Sequence, residues 1–207
     1  FLESPEAKKL LLGKPVVTIF SCRNMWLGSQ EKMKLQLQKL QANLVGNIAY
    51  VDASANLISL ITVLAYVLGG VKDKFLNIFP KYGVSKEFLE TNGPRFGNAI
   101  KQHLFANNYS TLQQELVQLG AVRVKSNLML LEGRGRVLFP LYANYISKKG
   151  TAGSNDRKGR VRVFGIVLPT AILILSPIIT IISRLALFLF PSKIRKEIDY
   201  YSQNSLR

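Results

Sequence analysis

Six consecutive residues, Ser21, Cys22, Arg23, Asn24, Met25 and Trp26, bring a thiol, a fixed cation, a carboxamide and a large aromatic into one short stretch of this 207-residue chain. They follow directly on the apolar, β-branched run Val16–Phe20. If that run is a strand of a parallel sheet, the loop lies at its carboxyl end, where open α/β sheets bind ligands. There Trp26 or Met25 could lie on a flat ring, Asn24 could hydrogen-bond the ring's edge, and Arg23 could meet a phosphate or carboxylate. The alternative is an ordinary loop in which Trp26 plugs the domain. Cys22 is the only thiol, and as a nucleophile it needs a base or a cation beside it. Arg23 could supply the charge. The only histidine, His103, falls on a helix expected to cover the sheet and reads as structural.

The elements that must position this loop follow from local pattern. Glu6–Leu12 reads as a short helix closed by Gly13. Val16–Phe20 has the composition of a strand buried on both faces. A helix is expected from about Ser29, with Glu31 in its first turn and Met33, Leu37, Leu40 and Leu44 facing the sheet. Val45–Val51 then reads as a second strand, completing a βαβ unit. Residues 53–71 carry no charge and are apolar all round, which suits either a buried helix or one lying on lipid or lining an apolar pocket; Gly69 and Gly70 end it. Ser85 is an expected N-cap. It opens a helix with Phe96, Ile100 and Leu104 on one face and Asn107 and Asn108 at its end. Leu112, Leu116 and Leu119 make a short helix closed by Gly120.

Composition narrows the partner. With 28 Lys and Arg against 12 Asp and Glu, the formal charge is +16, and 48% of residues are hydrophobic. Such a charge implies an anionic partner, nucleic acid or anionic lipid. Nucleic-acid binding asks for basic residues arrayed on a solvated face, whereas here they gather beside apolar segments, so lipid is favoured. A single cysteine excludes an internal disulfide and most zinc patterns. Phe1 is not an initiator methionine and the first residues read as a helix already under way, so the natural chain is expected to start upstream; no signal peptide is legible.

The lipid signal lies in the last third. Val163–Ser183 holds no charge, and as a helix it would be about 31 Å long, close to the thickness of a bilayer's hydrocarbon core. Lys148, Lys149, Arg157, Lys158, Arg160 and Arg162 precede it; Arg184, Lys193, Arg195 and Lys196 follow. Positive residues mark cytoplasmic loops, yet both flanks are positive. A single span would put one cluster on the wrong side. A re-entrant hairpin kinked at Pro169 and Pro177, or a deeply seated interfacial helix, would keep both in the cytoplasm. Upstream, Val137, Leu138, Leu141, Tyr142 and Tyr145 between Arg134, Arg136 and Lys148, Lys149 suit an interfacial helix or a core-packing one.

GKPVVTIFSCRNMW, a helix rich in Gln, Glu and Lys, and then LVGNIAYVD together resemble the second half of a flavodoxin-like family. Its members are labelled dialkylresorcinol condensing enzymes or NAD(P)H:quinone-type oxidoreductases. The resemblance continues through GVSKEFLE, Arg95–Gly97, LGAVRV at Leu119–Val124 and the apolar, basic tail, and CRNMW is its most specific element. It implies a flavodoxin-like sheet with a C-terminal membrane-associated segment, and FMN as cofactor, with Ser21–Trp26 at the flavin. One departure is plain: the loop that cradles the FMN phosphate through backbone amides has no counterpart before Val16. Only the fourth and fifth strands of such a sheet are expected, with an unpaired edge on the first.

The sequence therefore predicts an α/β fold: a partial flavodoxin-like parallel sheet over 1–132, an interfacial helix and basic linker over 133–160, and a membrane anchor with basic tail over 161–207. The expected activity is FMN-dependent oxidoreduction of a lipophilic or quinone-like small molecule at the cytoplasmic face of the inner (plasma) membrane, with a second copy of the chain as a candidate partner in a homo-oligomer. The alternatives are a condensing or lipid-tailoring enzyme using Cys22 and a non-catalytic membrane-tethered accessory protein. No metal or nucleic acid is expected.

Overall fold

A computed structural model describes residues 1–52, 54, 56–74 and 76–206, with the side chains at 56, 57, 60, 64, 67, 68 and 176 left out of the description. It is mixed α/β: eight helices and a two-stranded parallel sheet among the described residues. Contacts divide the chain into two compact units. One comprises Phe1–Val124 with Arg195–Arg207, the other Lys125–Ile194. The expected division near residue 132 thus moves to 124/125, and the end of the basic tail folds with the α/β unit.

In the first unit, helix α1 (Pro5–Leu11) starts at Ser4, whose hydroxyl accepts the Ala7 N–H. Strand β1 (Pro15–Cys22) pairs in parallel with β2 (Asn43–Val51) across the helix α2 (Leu27–Lys39), so strand, helix and strand form the expected βαβ unit. The register slips once, between Val16 and Val17, where Leu44 and Gly46 become successive partners. Gly46 has a reason: a Cβ there would sit 3.1 Å from Leu116 Cδ1 and 3.2 Å from Val17 Cγ2.

Burial inverts one expectation. β1 has the expected unpaired edge but is not covered on both faces, with Ile19 61% exposed, whereas Val45–Ala49 of β2 are all buried. Successive side chains point to opposite faces, so β2 is the strand covered on both. Its outer edge is closed without a third strand: Asn47 N–H donates to Gln113 Oε1 (2.7 Å) and Ala49 N–H to the Ala121 carbonyl (2.8 Å). The other edge of β1 meets no strand among the described residues. The core gathers Val45, Ile48, Phe96, Ala99, Leu112, Leu116 and Ala121.

Helix α2 begins two residues earlier than expected, so Glu31 lies in its second turn, beside Lys34 (3.1 Å). Its buried face is Leu27, Gln30, Lys34 and Leu37, while Met33 is half-buried. Leu44 belongs to β2, because the helix stops at Lys39 and Gln41 turns the chain at φ +55. Helix α3 (Asn56–Gly69) ends at Gly70, φ +68, as its glycine pair predicts. Among its described side chains, Ser59 and Thr62 are buried; Leu57, Leu60, Leu64, Val67 and Leu68 lie outside the described side chains.

Helix α4 (Lys86–Ala106) is capped by Ser85 Oγ, which accepts the Phe88 N–H at 3.1 Å, and it runs unbroken through Pro94. Phe96 and Ala99 are its buried residues. Leu104, expected on that face, is 57% exposed. Helix α5 (Leu112–Gln118) places Leu112 and Leu116 fully inside and ends at Gly120, φ +82.

In the second unit, helix α6 (Ser126–Ser147) begins before Gly133 and passes through Gly133, Gly135 and Pro140. A 3-10 turn at Asn155–Arg157 leads into α7 (Lys158–Leu189), one helix through Pro169, Pro177 and Arg184. The two-legged re-entrant hairpin is therefore replaced by a single rod. Among the described residues α7 is the one helix long and apolar enough to cross a bilayer, and none of its most apolar 18-residue stretch is buried. Helix α8 (Pro191–Ser202) follows, and its residues from Arg195 on belong to the first unit.

Candidate functional site

β1 and β2 are parallel and end together, so Cys22 and Val51 are register partners and the next residues, Arg23 and Asp52, emerge side by side. Asp52 N–H donates to the Cys22 carbonyl (3.1 Å), extending the ladder by one rung. Arg23 Nη1 then meets Asp52 Oδ2 at 2.9 Å, with the two side chains 13% and 5% exposed. Arg23 Nη2 donates to the Ser59 carbonyl (2.8 Å) and to Thr62 Oγ1, both on α3. Its guanidinium also lies 4.7 Å from the centre of the Tyr82 ring. Tyr82 stacks on Tyr66 at 4.4 Å, and Lys72 stands 5.7 Å from the far ring. Arg23 is thus the hub that ties both strand ends to α3 and to the segment after it.

This geometry changes the reading of the loop. Arg23, expected to meet a ligand phosphate, has its charge offset by Asp52 and its Nη2 donating to α3. Trp26, expected on a flat ring, is 3% exposed and sits 6.2 Å from the Phe20 ring. Ser21 is exposed; Cys22, Asn24 and Met25 are half-buried. The cation and the aromatic that would hold FMN are both committed to the protein, so these residues do not fit an FMN site.

The cation next to Cys22 in the chain, Arg23, has its charge offset by Asp52. His103 is no substitute base. Its Nε2 lies 2.9 Å from Glu115 Oε2, and its Nδ1 contacts the Asn108 carbonyl oxygen. Both partners are acceptors, so the ring serves both only as a doubly protonated imidazolium. That accords with a pKa raised above the usual histidine value, first by the Asn108 carbonyl and then by Glu115 against the cost of burial. His103 pins the end of α4 to α5. Among the described residues no group of three His, Cys, Asp or Glu could hold a metal.

Asp52, Ser59, Thr62, Tyr66 and Tyr82 escaped the sequence reading. The one available signal was Asp52, an acid directly after the second parallel strand, which the register sets against Arg23.

The opposite end of the sheet holds a second polar cluster. A cleft of about 460 Å³ is lined by Asn43, Asn107, Tyr109, Gln113 and Asn204, among others, and carries no Lys or Arg. Gln113 is already bound to Asn47 and, through Nε2, to the Ser202 carbonyl (2.6 Å). Beside it Lys34, 2% exposed, donates to the Ser205 carbonyl (3.1 Å) and lies 4.6 Å from the Tyr200 ring, while Tyr200 bonds Glu31. These contacts hold the chain end on α2 and α5.

The second unit offers an apolar surface. α6 and α7 run antiparallel from the basic turn between them. Tyr142 and Phe139 meet Phe164 at 5.2 and 6.5 Å, and Arg160 stands 4.1 Å from the Tyr145 ring and donates to the Tyr145 carbonyl. The outward faces are apolar: Val137 and Leu141 on α6 are 64% and 60% exposed, and Ile166 and Phe188 on α7 are 63% and 82% exposed. No family model, no curated protein and no solved structure matches this chain.

Proposed function

We propose that this is a membrane-attached α/β protein, held on an anionic bilayer by its α6–α7 unit. One observation carries the reading: Val163–Ser183 is free of charge and forms the middle of α7, yet the chain leaves its most apolar stretch unburied. A core helix of a water-soluble protein would be covered. More than a dozen large apolar side chains of α7 stand 38% exposed or more. Moving each from water into lipid gains on the order of 1 kcal/mol, so the sum exceeds what a soluble surface normally leaves open. The cations of the turn and of the segment after α7 each add about 1 kcal/mol near an anionic leaflet.

Attachment is tested by flotation of the detergent-free protein with vesicles. Vesicles rich in phosphatidylglycerol should carry it up the gradient, and pure phosphatidylcholine should carry less, by a margin that shrinks in high salt. A monomer that stays at the bottom with both would end the proposal.

Flavin-dependent oxidoreduction of a lipophilic acceptor is the second reading. It is supported by the resemblance of residues 13–26 and 44–52 and by the parallel β1–α2–β2 unit. The site residues do not supply an FMN cradle, so the reading requires the flavin to be held elsewhere. The purified protein would then be yellow or turn yellow with added FMN. A colourless protein after dialysis against FMN retires it, leaving a membrane-tethered protein without flavin chemistry.

A further inference from the structure

We infer that the α6–α7 hairpin lies along one leaflet of an anionic membrane, with both basic clusters on the same side, and does not cross it. The inference rests on the membrane attachment proposed above and adds the orientation, hence the lipid surface that is recognised.

By length alone α7 could span, since Val163–Ser183 would reach about 31 Å. Its companion forbids it. The ring contacts set Tyr142 beside Phe164, and Arg160 beside Tyr145. Following the two antiparallel helices away from the turn at about 1.5 Å per residue, Arg136 comes level with residue 170 and Arg134 with residue 172. Those levels are roughly 10 and 14 Å beyond Val163. With Val163 at one interface of a crossing helix, the exposed Arg134 would hang near the middle of a hydrocarbon layer about 30 Å thick. Insertion scales charge about 2.5–3.5 kcal/mol for an arginine there. Nor can α6 span beside its partner, because its apolar run Val137–Ile146 is about ten residues, half the length needed.

Lying flat removes the conflict. Val137, Leu138 and Leu141 of α6 and the apolar face of α7 sink to the acyl boundary, about 5–10 Å deep. Arg134 reaches back to the headgroups along its own aliphatic stem. The cations of the turn (Lys148, Lys149, Arg157, Lys158), Arg184 near the end of α7 and Lys193 after it then face the same anionic leaflet. The sign rule that a single span would break on one side is kept on both. On the other side of α7 the polar Ser183 is buried, 3% exposed, with its hydroxyl donating to the Thr180 carbonyl (2.9 Å).

Depth measurement decides it. On a Cys22→Ser background, Leu173→Cys places a fluorophore about 15 Å past Val163, at mid-bilayer in a span and near the surface in plane. Val163→Cys serves as the shallow reference. Protein floated with phosphatidylglycerol-containing vesicles is quenched by lipids carrying a nitroxide near the headgroup or near the chain end. In-plane seating predicts that the shallow quencher acts at least twofold more strongly than the deep one at both positions. Deep quenching dominant at position 173 overturns the one-leaflet orientation and leaves attachment standing. Failure to float overturns attachment, and the orientation with it.

Discussion

Replacing Asp52 with alanine removes the counter-charge from a guanidinium that the fold has already taken out of water. The two side chains are 13% and 5% exposed and 2.9 Å apart. Removing one partner of a buried pair costs about 3–5 kcal/mol, because the other charge stays behind. Arg23 keeps the Ser59 carbonyl, Thr62 Oγ1 and the Tyr82 ring, which places the loss at the lower end. Asp52 Oδ1 also accepts the Ser54 N–H at 2.8 Å, a bond of about 1 kcal/mol. The expected destabilisation is therefore about 3–4 kcal/mol. Asp52→Asn can keep the turn bond and should cost about 2 kcal/mol. Arg23→Met combined with Asp52→Leu removes both charges and should recover about 1–2 kcal/mol of the Asp52→Ala loss, short of the parent because the bonds to Ser54, Ser59 and Thr62 go as well. Trp26 is the only tryptophan and is 3% exposed, so its fluorescence reports unfolding of the α/β unit directly. With a urea slope of about 2 kcal/mol per molar, Asp52→Ala should lower the midpoint by about 1.5–2 M in mild detergent. A shift under about 0.3 M, or a double variant as unstable as the single one, would refute the account of Arg23 as a structural hub.

Three further outcomes follow from the α/β unit. His103 has its pKa raised above 6.5, so its stabilising contribution is complete below that value and fades as pH climbs through the folded-state pKa. The urea midpoint of the parent should fall relative to His103→Gln between pH 6 and 8, and parallel curves would contradict this. Gly46→Ala inserts a methyl 3.1 Å from Leu116 Cδ1 and 3.2 Å from Val17 Cγ2; overpacking of this kind costs about 1–3 kcal/mol, read as a lower melting temperature. Leu116→Ala empties a fully buried site and should cost about 2–5 kcal/mol, with the same chemical-denaturation assay as the check.

Much of the architecture was legible because it follows from neighbours in the chain. Ser85 caps α4, Gly70 and Gly120 end α3 and α5 at positive φ, and Val45–Val51 is a strand, each for reasons carried within a few residues. What failed was burial. A β-branched run suits an edge strand as well as a central one, so Val16–Phe20 could not reveal that β1 would be the exposed strand and β2 the covered one. Leu104 sits at a helical spacing from Phe96 and Ile100, yet it stands 57% exposed.

The chain's chemistry divides along the same line. Composition alone determined that a long charge-free helix with basic flanks exists, since hydropathy and charge are sums over residues and need no fold. Whether Arg23 offers its charge to a ligand or spends it on Asp52 depends on two parallel strands ending in register, thirty residues apart. Whether α7 crosses or lies flat depends on which α6 residues stand beside it, and only packing places Arg134 and Arg136 there. A charge is visible in a sequence; the dielectric and the partner that give it meaning are set by the fold.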